Sequence, residues 1–239
     1  MRQGFFITAT DTGVGKTVFT AALAERLRGE GRAVIAMKPI ATGVADAGVS
    51  SDTAFLERAA RSGEPQERLT PLAFRAPLAP AVAARLEGRA IDLAALAEHC
   101  RSVAARYEVT LVEGVGGLLV PLTDNACVAD FAKDLGLPLI VVARPGLGTL
   151  NHTALTVESA RGRGLAVAGI VISGWPEEPG LAEETNLDEL PRLTGLPLLA
   201  CLPLSEGLDT DRGERGAGWP RLVAAIEPGR FIRGAKSGT

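Results

Sequence analysis

The stretch Ala9-Thr10-Asp11-Thr12-Gly13-Val14-Gly15-Lys16-Thr17 leaves this chain few ways to fold. Before it, Gly4-Phe5-Phe6-Ile7-Thr8 is a short apolar run of β type. After it, Val18, Ala21, Ala22, Leu23 and Leu27 recur on one face at helical spacing, until Gly29 and Gly31 stop the pattern. A strand, a glycine turn and a helix start in this order aim successive backbone N–H groups inward at the positive end of a helix, where phosphate oxygens settle. Lys16 would then reach the terminal phosphates and the Thr17 hydroxyl would ligate Mg²⁺. The common form of the loop has glycine five places before the Gly-Lys pair, where this chain has Thr10. A plainer alternative is a strand-to-helix turn whose glycines serve geometry alone, but the flanking strand and helix favour binding of a nucleoside triphosphate.

The chain has 239 residues, a length at which one α/β domain is common, and its 46% hydrophobic and 22% charged residues make a globular balance. We expect a single domain over residues 1–227 and a flexible tail at 228–239. A net charge of −3 with no run of Lys or Arg gives no electrostatic footprint for nucleic acid. No stretch approaches the ~20 apolar residues of a membrane-spanning helix, and the N-terminus enters a strand directly, so the expected location is the cytoplasm, with no membrane partner. Cys100, Cys127 and Cys201 are odd in number and widely spaced, which fits buried free thiols better than disulfides or a zinc site.

Beyond the first helix, residues 33–37 read as a second buried strand that ends at Lys38-Pro39-Ile40-Ala41-Thr42-Gly43. A lysine at the carboxyl end of a strand lies where ligands bind in an open α/β sheet; the alternative is a solvated surface lysine, and position alone does not separate the two. Asp52 precedes a helix expected over 53–61. Its spacing favours a plain N-cap over an acidic Mg²⁺ partner aimed at the loop. Residues 69–89, with Pro71, Pro77 and Pro80, look like an irregular connection running into a helix, and 92–106 is a second helical run that Asp92 can begin. Residues 109–113 then form a strand ending in Glu113, followed by Gly114-Val115-Gly116-Gly117. An acid there resembles a Walker-B carboxylate; a Glu facing water is the alternative. Asp52 and Glu113 would both suit a hard, oxygen-preferring cation. Further strands are expected at 137–143, 166–173 and 198–202, with helices at 153–163 and 218–226. Strands alternating with helices in this way predict a mostly parallel sheet covered on both faces, a single-domain α/β fold of the P-loop NTPase type. His99 and Cys100 are adjacent on a helix and point apart, so they make no catalytic pair. Asn151 could merely cap a helix.

Taken together, Thr10-Asp11-Thr12-Gly13-Val14-Gly15-Lys16-Thr17, Lys38-Pro39-Ile40-Ala41-Thr42-Gly43, Pro77-Leu78-Ala79-Pro80, Val112-Glu113-Gly114-Val115-Gly116-Gly117 and Gly148-Thr149-Leu150-Asn151-His152 resemble the dethiobiotin synthetases, in family order and over residues 4–205. The resemblance implies an ATP- and Mg²⁺-dependent ligase of biotin synthesis that converts 7,8-diaminononanoate and CO₂ to dethiobiotin, ADP and phosphate through a carbamate and its phosphorylated form. It implies that Gly13, Val14, Gly15, Lys16, Thr17 and Val18 hold the phosphates, and that Thr17, Asp52 and Glu113 hold the metal, which displaces the cap reading of Asp52. Lys38, with Lys16 and Thr12, would act on the reacting groups; Thr12 and Thr42 would line the diamine site; Gly114, Val115 and Gly116 would bring backbone toward the nucleotide. Family members are homodimers in which the loop matching Gly148, Thr149 and Asn151 reaches the substrate carboxylate from the neighbouring subunit. Two departures stand out. Ala9 occupies a place where glycine is frequent, and Ser173-Gly174 stands where the family commonly has an Asn that reads the adenine edge. Backbone at Pro203, Leu204 and Ser205 is the other candidate for base contact, and looser nucleotide choice is the expectation that follows. An amidase-type synthetase would need a glutaminase domain for which there is no room. A partitioning ATPase would carry an extra lysine where this chain has Asp11.

Overall fold

In the computed structural model, residues 3–44 and 50–232 are described. The chain runs through β1 (Gln3–Ala9), α1 (Lys16–Gly29), β2 (Val34–Met37), β3 (Ile40–Thr42), α2 (Ser51–Ala60), α3 (Gln66–Leu69), β4 (Leu72–Phe74), α4 (Pro80–Leu86), α5 (Leu93–Ala104) and β5 (Val109–Glu113). It continues through α6 (Val128–Leu135), β6 (Leu139–Ala143), α7 (Thr149–Gly162), β7 (Val167–Trp175), α8 (Leu181–Thr194), β8 (Leu198–Pro203), the short strands β9 (Leu208–Asp209) and β10 (Glu214–Arg215), and α9 (Trp219–Ala224).

Six strands make the central sheet in the order β2-β5-β1-β6-β7-β8, each neighbouring pair parallel. Parallel strands are joined by crossovers that cover both faces, so their residues are buried whichever way they point. Every residue of β2, β5 and β6 is buried accordingly. On β1 the alternation assigns the layers: Phe5, Ile7 and Ala9 pack with Phe19 of α1, Phe55 of α2 and Trp219 of α9, while Phe6 packs the other way against α5 and α6, its ring edge-on to Phe131 at 6.1 Å. A third cluster joins β6 and β7 to α7 and α8 through Val141, Ile170, Val157 and Leu190. β1 lies between β5 and β6, so the chain changes direction across the sheet there and opens a crevice above the carboxyl ends of the strands.

The α/β architecture and all six long strands match the sequence expectation, and Asp92 caps α5 by accepting from the Ala95 N–H at 2.9 Å. Four differences have physical causes. The connection expected within 69–89 is not irregular throughout: it includes β4, which pairs in parallel with β3. Helices α6 and α8 escape the periodic pattern, the first because it has only eight residues, the second because Pro191 lies inside it. Helix α7 starts at Thr149 rather than 153, with Gly148 (φ 94°) as its N-cap, so Asn151 is a first-turn residue and not the cap. The expected tail begins too early as well. Pro228–Arg230 form a 3₁₀ turn, and Phe231 and Ile232 are buried, the Phe231 ring 6.3 Å from that of Phe5 and 5.9 Å from that of Phe19. Residues 233–239 of that tail lie outside the described residues, as does 45–49 of the loop before α2. All three cysteines are free, yet only Cys100 is fully buried; Cys127 is half-buried and its thiol donates to Asp130 Oδ2 at 3.1 Å.

Candidate active site

The loop between β1 and α1 needs glycine at two places. Gly13 and Gly15 have φ of 72° and 99°, in the left-handed region that side chains avoid, and a Cβ on Gly15 would fall 2.2 Å from Ser173 Oγ. The loop therefore lies against the end of β7. Lys16 follows at the start of α1, only 7% exposed, and its Nζ donates to the Asp11 carbonyl at 3.3 Å. Burial pushes its pKa down, with Glu113 and Asp52 opposing that effect.

Three further elements converge on Thr17. Its hydroxyl lies 2.8 Å from Glu113 Oε1 and 3.1 Å from Asp52 Oδ1. Glu113 is placed by the end of β5, where its carboxylate is fully buried. Asp52 comes from the first turn of α2, whose N-cap is Ser50, accepting from the Thr53 N–H at 3.4 Å. Asp52 is thus not the cap that spacing favours; a cap two residues earlier frees its carboxylate for the site. Lys38 follows β2 directly. Its main chain is pinned by its own N–H to the Leu69 carbonyl and by the Thr70 hydroxyl donating to its carbonyl. Its Nζ donates to Glu113 Oε1 at 3.1 Å and also to Asp52 Oδ2. Lys38 is no solvated surface lysine: it is 8% exposed, and although burial opposes its charge, the Glu113 and Asp52 carboxylates hold its pKa well above the ordinary lysine value. For Glu113, by contrast, burial is what raises the pKa, against the pull of Lys38. Glu113 Oε2 is buried without a hydrogen-bond partner among the described residues, in a place where a carboxylate oxygen normally finds a donor or a cation.

These groups line two adjoining clefts. One, of about 520 Å³, holds Lys16, Thr17, Lys38, Asp52 and Glu113, and is closed by Thr12, Thr42, Val115, Gly116 and the 209–211 tip of the β9–β10 hairpin. The other, of about 550 Å³, runs from Thr12, Gly13 and Val14 to Ser173, Gly174 and the 203–205 strand end, with Leu208 and Leu222 as its apolar floor. A polar, cationic cleft opening onto a partly apolar one fits a phosphate chain leading to a base. At the base end the Leu204 N–H is already given to the Trp175 carbonyl at 2.7 Å, and Pro203 has no N–H, so donors there are few.

Most residues named from the sequence therefore meet. Gly114 supports rather than lines the clefts, since a Cβ there would meet the Phe6 ring at 2.9 Å. Gly148, Thr149 and Asn151 line neither: Thr149 is buried and Asn151 exposed. Sequence reasoning missed Arg144 and the hairpin. Arg144 follows β6 directly and obeys the same strand-end rule that singled out Lys38; the hairpin residues carry no comparable signal.

A family model described as an AAA domain matches residues 3–212. The ATP-dependent dethiobiotin synthetase BioD of Anaeromyxobacter sp. (strain Fw109-5) is 54% identical over 171 residues, covering 72% of this chain and 76% of that relative. The enzyme of the same description from Bacillus subtilis (strain 168) is 44% identical over 177 residues, covering 74% and 77%. Among solved structures, the septum site-determining protein MinD complexed with Mg-ADP from Pyrococcus horikoshii superposes with a TM-score of 0.59 at 18% identity, covering 93% of both chains. A ParA family ATPase from Chlorobium tepidum gives 0.58 at 14% identity, covering 93% of this chain and 97% of its own. At such identities these two share the fold alone.

Proposed function

The chain belongs to the dethiobiotin synthetase family and is an ATP-dependent ligase of biotin biosynthesis, and from that premise we propose how its residues divide the work. The reading is that 7,8-diaminononanoate captures CO₂ on one amine as a carbamate, with loss of a proton. A carbamate oxygen then attacks the γ-phosphorus of ATP and ADP leaves. The second amine attacks the activated carbonyl, expels phosphate and closes the cyclic urea.

What carries this reading is the Lys38 ammonium, held between Glu113 and Asp52 at the strand ends. Its raised pKa keeps it charged at neutral pH, so it is a fixed cation and not a base; placed where the carbamate and its mixed anhydride build up negative charge, it would stabilise both. Lys16 and the N–H groups of the loop would bind the β- and γ-phosphates. Thr12 and Thr42 would orient the diamine, turning two bimolecular encounters into one bound geometry. The oxygens of Thr17, Asp52 and Glu113, one of them orphaned, fit a small hard cation, so these three would hold Mg²⁺. When bound, that ion would neutralise charge on the terminal phosphates.

The proposal includes a homodimer. Leu147 is 92% exposed beside Gly148, and Asn151 is exposed too, which supports a loop that serves another subunit's substrate carboxylate rather than its own cleft. Thr149, being buried, would contribute backbone only. A cytoplasmic location belongs to the same reading; among the described residues no helix is long and apolar enough to cross a membrane. The direct test incubates the purified protein with the diamine, bicarbonate, Mg²⁺ and ATP and seeks the cyclic urea by mass spectrometry. ATP turnover without that product would sink the proposed reaction.

A further inference from the structure

Asp11 is an acid inside a loop built to hold polyanions. Its Oδ1 accepts the Thr12 N–H at 2.7 Å, so the carboxylate sits next to the Gly13–Thr17 N–H groups that a phosphate needs. A free carboxylate in such a nest is itself an anion and competes with the ligand. The structure supplies a restraint. Since β1 pairs with β6, with Ala9 beside Val142 and the Thr10 N–H bonded to the Val142 carbonyl at 3.0 Å, the residue two places after Val142 comes to rest over the loop. That residue is Arg144, whose Nη2 donates to Asp11 Oδ2 at 2.8 Å and which lines the larger cleft beside Thr12 and Gly13.

We propose that Arg144 is a positioning residue of the nucleotide site: by gripping Oδ2 it holds the Asp11 carboxylate on the Thr12 N–H and away from the N–H groups of Gly13 to Thr17, and so sets ATP affinity. The idea rests on ATP binding but not on the carboxylation chemistry. Arg144 and Asp11 are each about half exposed, so any direct long-range attraction between Arg144 and phosphate is screened at ~0.15 M salt, and what remains is the local restraint.

The test is a double-mutant cycle on the full chain, with Kd for Mg-ATP measured by calorimetry without diamine, and KM and kcat measured where the cyclic urea forms. R144A is expected to raise Kd about tenfold, with most of the kinetic effect in KM for ATP rather than in kcat. Arg144→Lys, which can still hold the carboxylate, should recover most of the affinity. In a D11N background, where no competing anion remains, R144A should change Kd by less than about twofold. An equal loss in both backgrounds would mean that Arg144 acts on the nucleotide itself, and an unchanged Kd in R144A would mean that it does nothing; either overturns the proposal. Melting temperatures of all five proteins guard against misfolding. ATP binding without urea formation would refute the reaction proposed above and leave this comparison intact.

Discussion

At the scale of single residues, the site depends on charges that are buried yet compensated. Lys38 without its carboxylates would be forced toward neutrality by burial; with them it stays an ammonium. Lys38→Ala is therefore expected to lower turnover by about 10²–10³, the usual cost of removing one group that stabilises developing charge, while ATP affinity by calorimetry stays within a few-fold of the parent. Unchanged turnover would refute the role assigned to Lys38. Base selection is expected to be weaker. Ser173 is pressed against Gly15 and offers one hydroxyl, and the neighbouring strand end has spent the Leu204 N–H on Trp175. Comparable steady-state rates with ATP, CTP and GTP are expected, and a large preference for ATP would show that the base is read by groups not identified at this end of the cleft.

Elements place these residues through contacts far from the chemistry. The turn after α2 is tied to the end of α5 through Glu64, which is almost wholly buried. Tyr107 donates to its Oε1 at 2.8 Å, Arg106 pairs with the same oxygen, and Arg68 reaches Oε2 at 3.4 Å. Burial alone would raise its pKa, but Tyr107 and Arg106 outweigh that and hold it below the ordinary 4.5. A carboxylate depressed on folding stabilises the protein above its unfolded pKa and loses that contribution as pH falls through the folded value. Glu64→Gln should thus melt lower than the parent at pH 7, with the gap closing below pH 4.5; a gap independent of pH would discount the ion pairing. In the layer that α1 and α2 share, Phe231 reaches back to Phe5 on β1 and Phe19 on α1. Phe231→Ala should cost about 3–5 kcal/mol by denaturant titration, the usual range for a buried aromatic; a cost near zero would mean that the C-terminal turn is not docked in solution.

For the whole molecule, a completed site is expected to need two chains. Light scattering should give a species of twice the 24.8 kDa chain mass, and Leu147→Asp, which puts a charge on the most exposed apolar side chain of the loop before α7, should shift it toward a single chain. A monomer at micromolar concentration with full activity would contradict the shared site.

The sequence by itself determined the parts whose information is local. Alternating apolar runs and glycines define the strand, loop and helix around residues 9–17, and the spacing of Lys16, Thr17, Lys38 and Glu113 relative to strand ends suffices to bring them to one edge of a parallel sheet. It could not decide Asp52, because a cap and a ligand have the same spacing and only the use of Ser50 as cap releases the carboxylate. Nor could it find Arg144 over Asp11, or the β9–β10 hairpin over the phosphate cleft. Those juxtapositions join residues more than a hundred positions apart. Arg144 reaches Asp11 because β1 lies between β5 and β6 in the sheet, an order set by burying both its faces at once; the hairpin, a separate two-stranded sheet, is held by the Ser51 hydroxyl donating to Asp211 and by Arg215 pairing with Glu25 of α1, so both are properties of the packed chain.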